Sequence, residues 1–222
     1  MDSSQQGTSA DAERRRPVGG AATAATILIL LLLVHEVVIS VANWREYSAV
    51  HDYLAGAMTD AELKATADSL SALESWLGFW PSFLVWLVAG VAFLAWLWRT
   101  RVNGELMSGA DAHRRSRAWV VGAWVSPVIN LWYPYQVVSD IWQASAPRRP
   151  ASVALVNAWW ASFLAANLVK PIQWRAASQL ATEQDVLANA NLSTLLTGLY
   201  LVAGALIILI IRRITAWQTV AA

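Results

Sequence analysis

Apolar stretches separated by short polar segments make up most of the chain. They cover residues 24–42, 77–98, 118–146, 153–169 and 195–211. About 20 apolar residues in a helix cross a hydrocarbon core of about 30 Å, because each residue adds about 1.5 Å. Four stretches are continuous, whereas the third contains Pro127 and Pro134. The pattern predicts an all-α, polytopic membrane protein with about four full transmembrane helices and one proline-broken segment.

The polar segments suggest how these helices are connected. We expect a disordered tail over residues 1–20, one transmembrane helical domain over 21–217 and a short tail over 218–222. The loop 43–76 is predicted to contain a short amphipathic helix, because Thr59 and Glu62 have the spacing of a capping box. Thr182 and Asp185 give a similar but weaker helix start before the last span.

The proline-broken segment combines prolines with polar side chains. On one continuous helix, Pro127, Asn130 and Pro134 would share a face. Each proline frees a carbonyl one turn earlier, and the side chain of Asn130 is expected to bond such a group. Pro134 is also expected to start a new helix, on which Gln136 and Asp140 are polar.

Composition supports a protein whose main partner is the lipid bilayer. Hydrophobic residues make up 57% of the chain and charged residues 14%, against about 45–50% and about 25% in soluble domains. The net charge of +1 gives no electrostatic case for binding nucleic acid. The absence of cysteine excludes disulfides, thiolate metal ligands and cysteine nucleophiles.

Basic residues predict the orientation, because lysine and arginine collect in cytoplasmic loops. Residues 14–16 are three arginines, which place the N-terminus in the cytoplasm of a multi-pass protein of the plasma membrane. The loop 43–76 has two bases against six acids and is assigned to the outside. The loop after the second span contains five arginines between residues 99 and 117 and is assigned to the inside.

The side of the C-terminus depends on the segment 118–146. If this segment crosses once, the arginine pairs 148–149 and 212–213 lie outside; if it enters and returns, both lie inside. Charge counts favour the second alternative slightly, and neither half of the segment is long enough to cross comfortably alone. We therefore prefer a re-entrant or interfacial segment, with any freed backbone groups buried in protein or hydrated.

Two further features concern the membrane boundaries. The first span either stays as an anchor, which we prefer, or is a signal peptide cleaved near Ser40-Val41-Ala42. Tryptophan is abundant, with 14 copies, and its indole ring favours the headgroup level. Trp44, Trp76, Trp80 and Trp174 are predicted at outer ends, and Trp96, Trp98, Trp119 and Trp217 at inner ends.

The broken segment also contains the most distinctive motif of the chain. It reads W-x-x-P-x-x-N-L-W-x-P-Y-Q from Trp124 to Gln136, followed by D-x-W-x-x-S from Asp140 to Ser145. W-L-x-R-x-R-x-N from Trp96 and the pair Trp159-Trp160 accompany it. The chain thereby resembles, over about residues 76–213, a membrane protein family of high-GC Gram-positive bacteria defined only as a domain of unknown function. The resemblance implies a multi-span helical fold in a bacterial plasma membrane and no particular activity.

Catalytic and metal-binding chemistry has little support in the sequence. His35-Glu36 begins like the zinc motif H-E-x-x-H, but Ile39 occupies the second histidine position. His35, His51 and His113 are predicted at three different depths, and no serine within a span is expected to have a histidine within reach. The nucleotide-binding and hydrolase motifs are absent. We expect no enzyme activity, cofactor or metal.

Glu36 is the clearest ionisable residue within a predicted span, and His35 precedes it. A charge at that depth costs about 2.5–3.5 kcal/mol on insertion scales, so it needs a partner or water. Lys170 and Arg175 are the nearest cations by predicted depth. An interhelical salt bridge or a protonated, hydrogen-bonded acid is the preferred interpretation, and proton or solute handling is the alternative.

The fourth span contains small residues at every fourth position, which allow helices to approach closely. These are Ala154, Ala158, Ser162 and Ala166. Packing within the helical bundle is the preferred interpretation. A homo-oligomer or another membrane protein bound through this face is the alternative.

Two functions remain from the sequence. The first is a non-enzymatic membrane protein with a structural or partner-binding role. The alternative is a small transporter or channel, because discontinuous helices form transport sites in known folds. The candidate functional residues are Pro127, Asn130, Trp132, Pro134, Gln136, Asp140, Glu36 and His35.

Overall fold

The computed structural model describes residues 15–220, apart from the side chain of Phe79. Helices and turns form this part of the chain, and it contains no strand, so the all-α prediction is confirmed. The helices are α1 (Gly19–Leu54), α2 (Asp60–Leu77), α3 (Phe79–Ser108), α4 (Trp119–Val125), α5 (Tyr133–Ser145), α6 (Ala154–Ala177) and α7 (Glu183–Val220). Two short 3₁₀ turns lie at Ala110–Ala112 and Ile129–Leu131.

Three helical stretches of the described part are long and apolar enough to cross a membrane. They are α1, α2 with α3 (Asp60–Ser108), and α7. Helix α6 has 24 residues but includes Asn157, Asn167 and Lys170, and it is not among the three. The structure thus supports a helical membrane protein and leaves the number of four spans as a prediction.

The helices extend beyond the apolar stretches that predicted them. Helix α1 continues to Leu54, so the connection expected over 43–76 begins only after that residue. At the other end, residues 218–220 belong to α7 and not to a tail, and Gln218 is 3% exposed. Most of the predicted N-terminal tail, residues 1–14, lies outside the described residues. The length of an apolar stretch predicts the part of a helix that suits lipid. Polar residues that have hydrogen-bond partners can extend the same helix beyond that stretch.

The amphipathic helix after α1 is confirmed as α2, and its N-terminus has the predicted capping box. The backbone N–H of Glu62 donates to Thr59 Oγ1 at 3.3 Å, and that of Thr59 donates to Glu62 Oε2 at 2.9 Å. The helix ends at Gly78, where an added Cβ would run into the carbonyl oxygen of Glu74. Glycine therefore permits this close approach of the backbone where the chain passes from α2 to α3. The weaker start at Thr182 is also confirmed, since Thr182 and Asp185 cap α7 reciprocally.

The segment 118–146 is broken into pieces that are too short to cross a membrane. Helix α4 has 7 residues and α5 has 13, which correspond to about 10 Å and about 20 Å of helix. Pro134 lies in the first turn of α5, as predicted. Pro127 and Asn130 lie before it in the turn and the 3₁₀ segment, so the expectation that the three share one helical face is wrong.

The chain divides into two compact units. Unit 1 contains the described residues up to Ile29, Val88–Trp160 and Ala205–Val220, and its core includes Trp96, Ile141, Ile210 and Ile214. Unit 2 contains Leu30–Leu87 and Ala161–Gly204, and its core includes Ala166 and Leu196. All of α4 and α5 belongs to unit 1.

The tryptophans expected at membrane boundaries divide into exposed and buried groups. In unit 2, Trp76, Trp80 and Trp174 are more than 70% exposed, which suits side chains that meet headgroups. In unit 1, Trp96 is fully buried, and its Nε1 donates to Thr215 Oγ1 at 3.1 Å. The N–H of Trp96 thus has a protein partner inside the core and does not require a headgroup, while the depth of this residue in a membrane stays a prediction.

Candidate functional site

Asp140 lies at the centre of a polar cluster in unit 1. Helix α5 turns this carboxylate inward, where it is 7% exposed. Its Oδ1 accepts a hydrogen bond from Nε of Arg114 at 2.8 Å, and its Oδ2 accepts one from the backbone N–H of Arg114 at 2.8 Å. A buried carboxylate needs such paired, charge-assisted bonds. Asp140 therefore holds the chain after α3 against α5.

Gln136, one turn before Asp140, holds the next arginine. Its Oε1 accepts from Nε of Arg115 at 2.9 Å. The guanidinium of Arg115 also lies over the ring of Tyr133, 4.0 Å from the ring centroid, which is a cation–π contact. The two polar residues predicted on α5 thus bind neighbouring arginines of one loop.

Helix α3 contributes a second acidic group to the cluster. Arg101 is 4% exposed, and its Nη1 lies 3.0 Å from Glu105 Oε1, an ion pair without the alignment of a hydrogen bond. Arg101 Nη2 donates to the carbonyl of Arg115 at 2.7 Å. Glu105 Oε2 accepts from Nε of Arg117 at 2.6 Å, and this bond raises the pKa of Arg117 above its ordinary value. The sequence placed Arg101 at the end of the second span, yet it is buried inside the protein.

His113 lies within this ring of charges and takes no part in its bonds. The side chain packs against Gly104 and is 8% exposed. Neither ring nitrogen has a hydrogen-bond partner among residues 15–220. Burial, and after it the charge of Arg101, lowers the pKa of His113 from 6.5 to about 4. The ring is therefore neutral at pH 7.

A buried amide cluster joins four distant parts of the chain in the same unit. Asn103 accepts from the backbone N–H of Arg16 at 2.8 Å and donates to the carbonyl of Arg16 at 2.9 Å. Asn103 also donates to Gln218 Oε1 at 3.2 Å. Gln218 Nε2 donates to the carbonyl of Thr100 at 2.9 Å and to Ser145 Oγ at 2.8 Å. The beginning of the described chain, α3, α5 and the end of α7 therefore meet here.

We call the first cluster the arginine network. It consists of Arg101, Glu105, Arg114, Arg115, Arg117, Gln136 and Asp140. Four guanidinium groups face two carboxylates, so the network has an excess of two positive charges with His113 neutral. Both carboxylates are occupied by arginine, which leaves them poorly placed for proton transfer. The side chains of Arg114 and Arg117 are about half exposed and present this charge to the surroundings.

The proline block makes a different set of contacts from the one predicted. The side-chain oxygen of Asn130 is buried without a hydrogen-bond partner in the described part of the chain. It is Trp160 whose Nε1 bonds a carbonyl of this segment, that of Leu131, at 3.1 Å. Pro127 is exposed and Trp132 is 42% exposed. The expectation that Asn130 satisfies freed backbone is wrong, because an indole from α6 reaches it instead.

Glu36 and Lys170 approach each other in unit 2. The distance from Lys170 Nζ to Glu36 Oε1 is 3.9 Å, and the side chains are 48% and 22% exposed. Of the two alternatives for Glu36, the interhelical salt bridge is the one present, and Lys170 rather than Arg175 supplies the cation. The pair is looser than a direct hydrogen bond.

His35 has a partner that the sequence did not suggest. Its Nε2 lies 2.9 Å from Ser82 Oγ, so the expectation that no serine within a span has a histidine within reach is wrong. Helices α1 and α3 bring the two residues to one level. Ser82 Oγ donates to the carbonyl of Leu77 at 2.6 Å, so Nε2 of His35 is the donor in the contact. A serine whose proton is bound elsewhere is not activated by this histidine.

The small residues of α6 do not form a uniform face. Ala154 and Ala158 are exposed, Ser162 is intermediate and Ala166 is fully buried. Exposure of these residues therefore decreases along the helix from Ala154 to Ala166. It therefore adds no support for a docking face beyond the spacing of its members.

Sequence reasoning missed several residues of the two clusters, namely Arg101, Asn103, Glu105, His113 and Gln218. A signal for two of them was present, because Arg101 and Asn103 belong to the W-L-x-R-x-R-x-N motif. Glu105 and Gln218 stand outside any pattern, and only the fold shows their partners. The motif ending α3 and the motif on α5 are parts of one cluster.

The fold and the clusters define a class of protein: a helical protein with helices apolar enough to cross a membrane and with buried polar networks that tie them together. The chain belongs to the family described as Domain of unknown function (DUF4328), which matches residues 56–216. The match includes α2 to α6, most of α7 and all of the arginine network. No curated protein and no solved structure matches the chain.

Proposed function

We propose that this protein is a non-enzymatic integral membrane protein with a structural or partner-binding role. The observation that supports this proposal is the closed arginine network. The polar residues of the motif, Gln136 and Asp140, bond to arginines of the chain itself and are not directed into a vacant site. Their role is to hold a rigid, cationic surface around Arg114 and Arg117. The cation-rich face suits acidic headgroups or an acidic partner.

We further propose four spans, with α4 and α5 forming a re-entrant or interfacial segment in the plasma membrane. The amide cluster supports this topology, because Arg16, Asn103, Ser145 and Gln218 touch one another and so lie on the same side. Basic residues assign that side to the cytoplasm. We also propose that the first span is retained, since Glu36, which precedes the alternative cleavage position, contacts Thr197 of α7 and Lys170 of α6.

Cysteine labelling tests the topology cleanly, because the chain has no native cysteine. Single cysteines replace the exposed residues Ser48, Gln179, Ala112 and Arg148. An impermeant thiol reagent applied to intact cells is expected to label Ser48→Cys and Gln179→Cys only. Permeabilised cells serve as the control, in which all four positions react. Labelling of Arg148→Cys in intact cells would show that the segment 118–146 crosses the membrane.

The structural role of the network is tested at Asp140. Asp140→Ala removes two hydrogen bonds to Arg114 and is expected to lower the free energy of unfolding by about 1–3 kcal/mol. Asp140→Asn keeps an acceptor and is expected to lose less. Denaturant titration in detergent micelles measures both. Equal stability of wild type and Asp140→Ala would contradict a structural role for this network.

The partner-binding role has its own test. A photo-reactive group attached at Ala112→Cys, an exposed position two residues before Arg114, samples the surroundings of the cationic surface in native membranes. A crosslinked product of one fixed mass, lost when Arg114 and Arg117 are replaced by glutamine, is the expected result. Products that persist unchanged in the glutamine variant would contradict binding through the arginine network.

A small transporter or channel is the second candidate, and one observation favours it. The side-chain oxygen of Asn130 is buried and unpaired in the broken segment, where a water or a solute donor would satisfy it. Solute flux into proteoliposomes that is lost in both Asn130→Ala and Glu36→Gln would support this function. An absence of flux over a broad panel of solutes would count against it.

A further inference from the structure

Polar residues follow one another along the packed faces of α1 and α7 in unit 2. Thr197 Oγ1 donates to the carbonyl of Glu36 at 3.1 Å. One turn further along α1, Ser40 Oγ lies 3.5 Å from Thr194 Oγ1. Ser40 and Thr197 are each 8% exposed, so these hydroxyls lie inside the protein. Thr194 lies at the exposed edge of this line, and the line ends at the backbone carbonyl of Glu36, one helical turn before Ser40 on α1.

The next turn of α1 continues the line toward Leu54. Asn43 Oδ1 faces Asn189 Nδ2 at 3.4 Å, and Asn189 Oδ1 accepts from Gln173 Nε2 of α6 at 3.0 Å. Asn189 is 2% exposed. Near the end of the helix, His51 Nδ1 lies 2.6 Å from Glu183 Oε1, and both groups are partly exposed. The polar line therefore extends from Glu36 to a solvent-exposed pair.

Three positions along this line lack the direct partner that a dry site requires. The Nδ2 atom of Asn43 is a buried donor without a partner among the described residues, and the Nδ1 atom of His35 is an acceptor in the same situation. The Glu36–Lys170 distance of 3.9 Å is long for direct contact. Water is the small group that satisfies both donors and acceptors, and a gap above about 3.5 Å is where a bridging water fits.

A cavity connects the line with the surface of unit 2. It has a volume of about 550 Å³ between α1 and α2, and its lining includes Ser40, Trp44, Ser48 and Asp52. The volume holds many waters, since each takes about 30 Å³ in the liquid. Ser40 belongs both to the cavity wall and to the line of hydroxyls, one helical turn from Glu36.

We propose that these residues form a hydrated track through which Glu36 exchanges a proton with the medium on the outer side. The track comprises Ser40, Asn43, Asn189, Thr194 and Thr197, with the cavity beside α2 as its mouth. Its existence is independent of the proposed function, and only its assignment to the outer side rests on the proposed topology.

The groups that face Glu36 determine what the proton does. Lys170 approaches the carboxylate from α6, and Tyr200 of α7 lies within electrostatic range of it. Thr197 of α7 bonds the backbone carbonyl of the same residue, and His35, whose partner is Ser82, precedes it on α1. In one step, a hydronium ion in the track gives its proton to the carboxylate of Glu36 and becomes water. The O–H bond formed at Glu36 ends the attraction to Lys170, whose half-exposed ammonium then turns to solvent.

Accessibility of single cysteines tests the track, because a thiol reacts as thiolate and ionises only in water. Ser40→Cys and Thr197→Cys place nearly isosteric thiols in the track of the full chain. Val37→Cys, on the exposed side of the same turns, is the matched control in contact with lipid. A small impermeant methanethiosulfonate is added outside. Both track positions are expected to react at least about tenfold faster than the control, since only hydrated thiols ionise. Rates no faster than the control would overturn the proposal.

A second measurement follows the proton at Glu36 directly. Infrared difference spectra between wild type and Glu36→Gln identify the Glu36 carboxyl band in proteoliposomes of phosphatidylcholine and phosphatidylglycerol. The band is expected to respond to outside pH and to exchange in D₂O, with slower exchange in the double variant Ser40→Val, Thr197→Val. A carboxyl band insensitive to outside pH, or exchange unchanged in the double variant, would overturn the track. The four topology cysteines report separately on the side assignment, so its failure is recognised independently.

Discussion

His113 is a histidine buried among charges without bonding to any of them. Arg101 disfavours its protonation, while Glu105 and Asp140 favour it, and burial decides the outcome for the neutral ring. The folded protein therefore accommodates His113 in its neutral form. The consequence is a dependence of stability on pH that can be traced to one residue.

We expect acid to destabilise the protein through His113. Its folded pKa of about 4 lies below the ordinary 6.5, so protons bind more readily to the unfolded chain. The contribution of His113 is complete above pH 6.5 and is lost as the pH falls from there toward 4. Unfolding in detergent micelles at pH 7.5 and pH 5 measures it, by comparison of wild type with His113→Leu. The variant is expected to lose less stability between the two pH values. Identical losses would show that this ring does not titrate as the structure implies.

Single residues also show where sequence reasoning succeeds. Predicted depth gives Lys170 and Arg175 as the nearest cations to Glu36, because an acid within a span needs a cation and few are available there, and the structure brings Lys170 to it. The Ser82–His35 contact escaped the same reasoning, although it also joins residues at one depth. Serine needs no partner in a helix, since its hydroxyl can bond its own backbone, so the sequence gives no reason to search for one.

Among the elements, the broken segment contains one feature that the local sequence predicts and one that depends on a distant part of the chain. Pro134 predicts the start of α5, because a proline fits the first turn of a helix and needs no backbone N–H there. In the bend between α4 and α5, backbone N–H groups bond the carbonyls of Ser126, Val128 and Ile129 locally. Trp160 from α6 supplies the bond to Leu131. A contact between elements 29 residues apart depends on packing, which a local pattern does not contain.

We expect opposite results from two substitutions in this element. Trp160→Phe removes the hydrogen bond to Leu131 and is expected to lower the free energy of unfolding by about 1 kcal/mol. Asn130→Leu removes a buried oxygen without a partner and is expected to leave stability unchanged or raised. Denaturant titration of both variants in the same micelles checks the difference. A larger loss in Asn130→Leu than in Trp160→Phe would mean that the asparagine has a structural partner after all.

On the scale of the whole molecule, the sequence predicts the helices better than the clusters that join them. Apolar runs and basic residues are properties of single segments, and α1, α3 and α7 follow from them. The amide cluster combines Arg16, Asn103, Ser145 and Gln218, each an ordinary polar residue in its own segment. Their hydrogen bonds to one another form only when unit 1 is assembled.

We expect Gln218 to stabilise unit 1 as a whole. Gln218→Leu removes three buried hydrogen bonds and is expected to cost about 1–3 kcal/mol in the free energy of unfolding. Hydrogen exchange should become faster in residues 18–25, because Asn103 then loses a bond that orients it toward Arg16. Thr219→Val is the control, since Thr219 bonds only within its own helix. Unchanged exchange in Gln218→Leu would limit the role of this residue to the end of α7.

Unit 1 is built from segments that are far apart along the chain, and this determines when it can be completed during synthesis. The ribosome makes residues 88–160 before it makes residues 161–204 of unit 2. The last segment of unit 1, residues 205–220, is made only after all of unit 2. Until then Asn103, Thr100 and Ser145 lack the glutamine that binds them. A nascent chain therefore exposes a polar, unfinished surface for the time needed to translate about sixty residues, roughly 3–12 seconds at bacterial speeds of 5–20 residues per second.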